Sequence, residues 1–141
     1  MKISLITGLC LSASLFAATA ADAATERYTV IFGGKAVGHL TADTEGAQTA
    51  IVFDYKNNGR GPTMAETVSV DAQGLPTAWT ISGTTTFGSK VSENFSRKGD
   101  RASWVDSTGK GSTTVSEPSL YVAQGGSPWS VGLYARALLK D

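Results

Sequence analysis

Apolar and polar residues alternate along most of the chain with a period of two, the pattern of a β-strand with one buried face. Ile51, Phe53 and Tyr55 are one such set. Glycine-bearing turns separate the segments at intervals of about ten residues, which predicts about eight short strands. Turns this short join antiparallel strands, because a parallel connection needs a long crossover. The predicted fold class is mainly β: a single antiparallel meander curled into a half-barrel or a sandwich.

The end of the chain has the spacing of a helix instead. Four apolar residues recur at helical intervals: Val131, Tyr134, Ala135 and Leu138. They predict one C-terminal amphipathic helix, over about residues 128–140, that lies across the sheet. Ser127 is a good helix N-cap and Pro128 suits the first turn, so we expect the helix to begin there.

The first 23 residues have the pattern of a secretory signal peptide. Met1-Lys2 gives a positive start, an uncharged apolar run extends from Ile3 to Ala18, and Ala21-Asp22-Ala23 fits a signal-peptidase site. The run is shorter than the ~20 apolar residues that a membrane-spanning helix needs. We therefore expect residues 1–23 to be removed, residues 24–141 to form the exported domain, and no stable membrane insertion afterwards.

The charge balance and the cysteine content limit the expected cellular location of the protein and the classes of partner that it could bind. The chain has 12 Lys and Arg against 12 Asp and Glu, which removes the electrostatic argument for nucleic acid as a partner. Its one cysteine, Cys10, falls in the predicted signal peptide. An exported domain without disulfides favours the periplasm of a Gram-negative bacterium.

Residue types that carry catalysis or bind metals are few in this sequence. His39 is the one histidine, whereas a catalytic zinc site needs about three protein ligands. No Gly-x-Ser-x-Gly motif marks a nucleophile. Glu66, Glu93 and Asp106 either form an acid–base pair in a common cavity or lie on the polar outer face of the sheet. We therefore assign no catalytic residue, no metal ligand and no cofactor to this chain.

Two glycine-rich loops interrupt the strand pattern. In Asn57–Pro62 two glycines and a proline surround Arg60, which either presents its guanidinium to a neighbouring surface or is solvated on a long β-turn. Gly109–Gly111 departs from the phosphate-loop motif, and we predict a hairpin turn there, followed by a weak strand over Ser112–Ser116.

Several segments of the chain share their motifs with one family: Gly33–Leu40, Asn58–Pro62, Leu75–Thr84, Leu120–Ala123 and Ser127–Trp129. They resemble the β-rich N-terminal region of exported, imidazolonepropionase-like amidohydrolases of Gram-negative bacteria. In that family a (β/α)₈ barrel follows this region, and its His-x-His pair, further histidines and an aspartate hold one or two divalent, zinc-like metals that hydrolyse C–N or related bonds.

This resemblance implies a non-catalytic accessory domain, because a chain with one histidine cannot supply the His-x-His pair. The chain is then a fragment of a longer, periplasmic, metal-dependent hydrolase, and its partner is the missing catalytic barrel. The residues that we expect to contact the barrel are Asn58, Arg60, Trp129, Tyr134 and Leu138.

A second hypothesis is a stand-alone periplasmic module that binds a lipid or another apolar small molecule between the sheet and the helix. A closed apolar pocket would favour this hypothesis, and a fully packed interior would count against it. The residues expected to line the pocket are Phe53, Trp79, Phe95 and Trp104.

Overall fold

The structure is a computed structural model that describes residues 23–139. It contains one sheet of eight strands in chain order, each antiparallel to its neighbours, and one helix. The elements are β1 (Ala23–Phe32), β2 (Lys35–Glu45), β3 (Gln48–Tyr55), β4 (Thr63–Val70), β5 (Pro76–Thr84), β6 (Lys90–Lys98), β7 (Arg101–Asp106), β8 (Gly109–Thr114) and α1 (Trp129–Leu138). The mainly β fold, the antiparallel meander and the C-terminal helix are confirmed.

The sheet is open, with β1 and β8 as its edges, so it does not close into a barrel. The described residues form this single sheet and not the two packed sheets of a sandwich. The predicted signal peptide, apart from Ala23, lies outside the described residues.

One face of the sheet carries the core, as the alternation predicts. In β4 the residues Met64, Glu66 and Val68 are buried, whereas the residues between them are exposed. The register places buried residues of adjacent strands directly opposite one another, so that they form continuous rows. The buried core cluster consists of Leu40, Ala42, Ile51, Met64, Val68, Trp79, Ile81, Phe95, Ala102 and, from α1, Leu133.

The turn between β7 and β8 comes earlier than the glycine motif predicts. The Asp106 carboxylate accepts hydrogen bonds from the backbone N–H of Thr108 at 2.7 Å and of Gly109 at 3.2 Å, which closes the turn before Gly109. Gly111 then lies in β8 opposite Trp104, where a Cβ would come within 2.5 Å of the indole ring. The prediction of a turn at Gly109–Gly111 is therefore wrong.

Helix α1 does not use Ser127 as its N-cap. Pro128 occupies the capping position, no side chain caps the helix, and the Ser127 hydroxyl is buried without a hydrogen-bond partner among the described residues. The backbone N–H of Ser127 donates instead to the Glu66 carboxylate. The prediction of a Ser127 cap is wrong, because a contact with the sheet sets the orientation of this residue.

Candidate functional site

Two glutamates lie within the apolar face of the sheet. Glu66 and Glu93 are 3% and 4% exposed, and both are paired in register with Ile81 of the strand between them. Of the two alternatives left open by the sequence, a place on the polar outer face is therefore excluded for Glu66 and Glu93. A buried carboxylate needs hydrogen-bond donors to offset its desolvation, so the donors around each glutamate define its role.

Both carboxylates bind the segment of residues 121–127, which we call the strap. Glu66 accepts hydrogen bonds from Trp79 Nε1 at 3.0 Å and from the backbone N–H of Ser127. Glu93 accepts three: from the Tyr121 hydroxyl at 2.6 Å and from the backbone N–H groups at positions 124 and 125, at 3.1 and 2.8 Å. The two glutamates thus fix the path of the strap over the sheet and lead it into α1.

Two tyrosines, Tyr121 of the strap and Tyr134 of α1, help to hold the strap in place. The Tyr121 ring stacks on Phe95 with 4.0 Å between centroids, and the Tyr134 hydroxyl accepts the backbone N–H of Ala123 at 2.8 Å. Burial raises the pKa of Tyr121, and its hydrogen bond to Glu93 raises it further. Burial also raises the pKa of Tyr134. Both phenols therefore remain neutral at physiological pH and keep these hydrogen bonds.

A groove runs between α1 and the first three strands, and we call it the helix groove. Its volume is about 390 Å³, within the range of small-molecule sites. The residues that line it are Glu26, Tyr28, Val30, Leu40, Phe53, Pro128, Trp129, Gly132 and Arg136. Glu26, Trp129 and Arg136 also line a wider depression of about 770 Å³ that extends towards Leu139.

Two hydrogen-bond donors at the helix groove lack acceptors. The Arg136 guanidinium lies 5.2 Å from the centre of the Trp129 ring, and its nitrogens form no salt bridge with any residue of the described range. Trp129 Nε1 is buried and has no hydrogen-bond partner among residues 23–139. The Glu26 carboxylate, on the same groove, accepts the Tyr28 hydroxyl at 2.8 Å.

The side of α1 that faces away from the sheet is also apolar. Val131, Ala135 and Leu138 share one stripe and are exposed, Val131 to 66% and Leu138 to 72%. Arg136 is the one charged residue of Trp129–Leu138. We call these three residues the outer stripe. A helix that has apolar residues on two opposite sides is usually packed against other protein on both of them.

The predicted barrel contacts do not form one surface. Asn58 and Arg60 lie on the tight turn between β3 and β4. Leu139, next to Leu138, instead lines the wider depression together with Gly74 of the β4–β5 turn, at the other end of the sheet. Of the predicted helix contacts, Leu138 belongs to the outer stripe. Trp129 and Tyr134 pack against the core.

The four predicted pocket residues do not enclose a common cavity either. Trp79 and Phe95 are buried in the packed core, at 1% and 4% exposure. Trp104 is half-buried against Gly111. Of the four, Phe53 alone lines the helix groove.

Sequence reasoning named Glu66 and Glu93 without deciding which face of the sheet they occupy, and it missed Arg136. Glu66 and Glu93 occupy the buried register of their strands, each with apolar neighbours two positions away, and this interruption of an apolar face was the available signal. Arg136 was recognisable as the one charge in an otherwise uncharged helix.

His39 lies on β2, paired with Thr29 and Asp54 of the adjacent strands. Within residues 23–139 no group of three or more His, Cys, Asp or Glu is placed to hold a metal ion. In the same range no helix has the length and apolar character needed to cross a membrane. Comparison with models of known protein families, with curated proteins and with solved structures finds no match for this chain.

Proposed function

We propose that this chain is the non-catalytic N-terminal accessory domain of a longer, periplasmic, metal-dependent amidohydrolase-type enzyme. The outer stripe of α1 packs against the catalytic barrel of that enzyme, and the barrel holds the divalent metal. The chain itself hydrolyses nothing.

The outer stripe is the observation that carries this proposal. Val131 and Leu138 are large apolar residues exposed on a helix whose opposite side already packs on the sheet. Covering them with a second protein body would remove this apolar area from water, at about 25 cal/mol per Å². The buried glutamates agree with a structural role, since their oxygens accept hydrogen bonds from the strap and from Trp79.

Reading the coding DNA beyond the Asp141 codon tests the proposal first. We expect an in-frame segment with a His-x-His pair and the length of a barrel. In that longer protein, Val131→Lys with Leu138→Lys should lower the melting temperature and expose the domain junction to limited proteolysis. Val105→Lys is the matched control, because Val105 is 53% exposed on the sheet, away from α1.

Two outcomes would contradict the accessory role. One is a stop codon directly after Asp141 with no such segment downstream. The other is turnover of an amide by the chain alone that a chelator abolishes.

The helix groove favours a second candidate function, a module that binds an apolar small molecule. Its lining is mainly apolar, and it is open to solvent between α1 and the sheet. The test is binding of dodecanol, followed by tryptophan fluorescence. Gly132→Leu should block the groove and abolish binding, because position 132 lines it and a Cβ there meets only the Arg136 side chain, at 3.4 Å. Binding that survives this substitution would rule out the groove.

A further inference from the structure

We infer that the helix groove selects amphiphiles that have an apolar chain and a singly charged anionic headgroup, with the headgroup bound at Arg136. This inference rests on the second candidate function, since it names the ligand class for that groove. It does not depend on the accessory role, which concerns the opposite side of α1.

The apolar part of the groove fits a hydrocarbon chain. Val30, Leu40 and Phe53 form its floor on the sheet, and Trp129 and Gly132 form its side on α1. The absence of a side chain at Gly132 keeps this side open. A ligand chain placed here removes its own surface and that of the half-buried Val30 and Phe53 from water, which is favourable for apolar area.

The headgroup preference follows from the positive charge of Arg136. Arg136 lies on the rim shared by the groove and the wider depression, and no carboxylate within residues 23–139 pairs with it. A guanidinium binds carboxylates and similar oxyanions through charge-assisted hydrogen bonds. Trp129 Nε1 is a second donor without an acceptor among residues 23–139, but it is fully buried, so the headgroup contact is assigned to Arg136 alone. An anionic oxygen bound at this rim would give the Arg136 guanidinium an acceptor.

Glu26 limits the charge that the groove accepts. Its carboxylate lines the same groove, so it repels an anionic headgroup, although the Tyr28 hydroxyl donates to it and offsets part of its charge. A headgroup with one negative charge is therefore favoured over one with two. Removing the Glu26 charge should strengthen the binding of the anion.

The experiment compares three probes with the same chain length on the protein as an exporting bacterial host produces it: dodecanoate, dodecanol and dodecyltrimethylammonium. Binding is measured by calorimetry at pH 8, below the aggregation concentration of each probe. We expect dodecanoate to bind most tightly. Arg136→Gln should lower the affinity for dodecanoate about tenfold, as expected for the loss of one charge-assisted hydrogen bond, and leave the affinity for dodecanol unchanged. Glu26→Gln should raise the affinity for dodecanoate several-fold, because it removes a negative charge from the groove.

Each other outcome has a distinct meaning. If all three probes bind equally and Gly132→Leu blocks them, the anionic preference is wrong and the second candidate function stands. If dodecanoate binds equally well to the Arg136→Gln protein, the headgroup assignment is wrong. If no probe binds to a correctly folded protein, both the inference and the second candidate function fail.

Discussion

At the scale of single residues, the buried carboxylates carry much of what is specific to this protein. Glu93 replaces an apolar side chain in the middle of a buried strand face, and three donors from the strap surround it. The role of Glu93 is structural: its carboxylate holds the strap, a segment that is not paired in the sheet.

Glu93→Leu should destabilise the protein by about 3 kcal/mol or more. The substitution leaves the Tyr121 hydroxyl and two backbone N–H groups without acceptors, and each buried unsatisfied group costs about 1–3 kcal/mol. Urea unfolding measures the free energy of unfolding. Glu117→Leu, at an exposed position, is the control and should change it by less than about 0.5 kcal/mol. Equal effects of the two substitutions would show that Glu93 does not hold the strap.

Gly125 illustrates how closely the strap approaches the sheet. A Cβ at this position would lie 2.8 Å from Val91 Cγ1 and 3.4 Å from the Glu93 carboxylate, so the strap would have to move away. Gly125→Ala should therefore destabilise the protein by about 1–3 kcal/mol, the usual cost of overpacking. Thermal unfolding checks this, and an unchanged melting temperature would contradict the close approach.

At the scale of elements, α1 is attached to the sheet through few contacts. Leu133 is the one apolar residue of Trp129–Leu138 with less than a tenth of its surface exposed. The remaining apolar residues of the helix are half-buried or face outward, which leaves the helix groove on one side and the outer stripe on the other.

Leu133→Ala should cost about 2–5 kcal/mol of stability, the range for truncating a buried leucine. Leu138→Ala, its matched control on the outer stripe, should cost less than about 0.5 kcal/mol in this chain. Chemical denaturation with a fluorescence readout compares the two. A large effect of Leu138→Ala would mean that the outer stripe is already covered in this chain.

Gly132→Ala tests the helix itself. Glycine lowers helix stability by about 1 kcal/mol relative to alanine, and the added Cβ makes only an ordinary contact with Arg136. We therefore expect a gain of up to about 1 kcal/mol, measured by thermal unfolding. A loss of stability would show that the groove side of α1 is more tightly packed than the structure indicates.

At the scale of the whole molecule, polar contacts at the ends of strands secure the sheet. Asp71, in the β4–β5 turn, pairs with Arg97 of β6 and accepts the backbone N–H of Leu75 at 2.9 Å. Burial acts to raise the pKa of Asp71, but the hydrogen bonds from Leu75, Arg97 and Gln73 outweigh it and lower that pKa. In Asp106, hydrogen bonds from Thr108 lower the pKa.

These shifts predict the pH dependence of stability. A carboxyl whose pKa is lowered by folding stabilises the protein above its unfolded pKa, which is about 3.9 for aspartate, and that stability is lost as the pH falls through the folded pKa. The free energy of unfolding should therefore fall steeply below about pH 4. In Asp71→Asn with Asp106→Asn the fall should be shallower, measured by denaturation across the acid range. An unchanged slope would contradict the role of these carboxylates.

The alternation of apolar and polar residues determined the strands, their antiparallel order and the buried face of inner strands such as β4 and β5, because these properties depend on residues close together in the chain. The edge strand β1 shows the same alternation, but neither β1 nor β8 contains a buried residue. The helix spacing determined α1 in the same way. The N-cap of α1 was predicted wrongly, because the backbone N–H of Ser127 binds Glu66 of the sheet. The position of the β7–β8 turn was also predicted wrongly, because the Asp106 carboxylate closes that turn before Gly109.

The strap, the helix groove and the outer stripe depend on the folded chain. Glu66 and Ser127 are 61 residues apart in sequence, and Glu93 and Gly125 are 32 apart. No local pattern specifies which backbone groups reach a buried carboxylate over such separations. Packing likewise decided which side of α1 faces the sheet. A helix with apolar residues on several sides can pack on a sheet in more than one rotation about its axis, so its sequence alone does not select one.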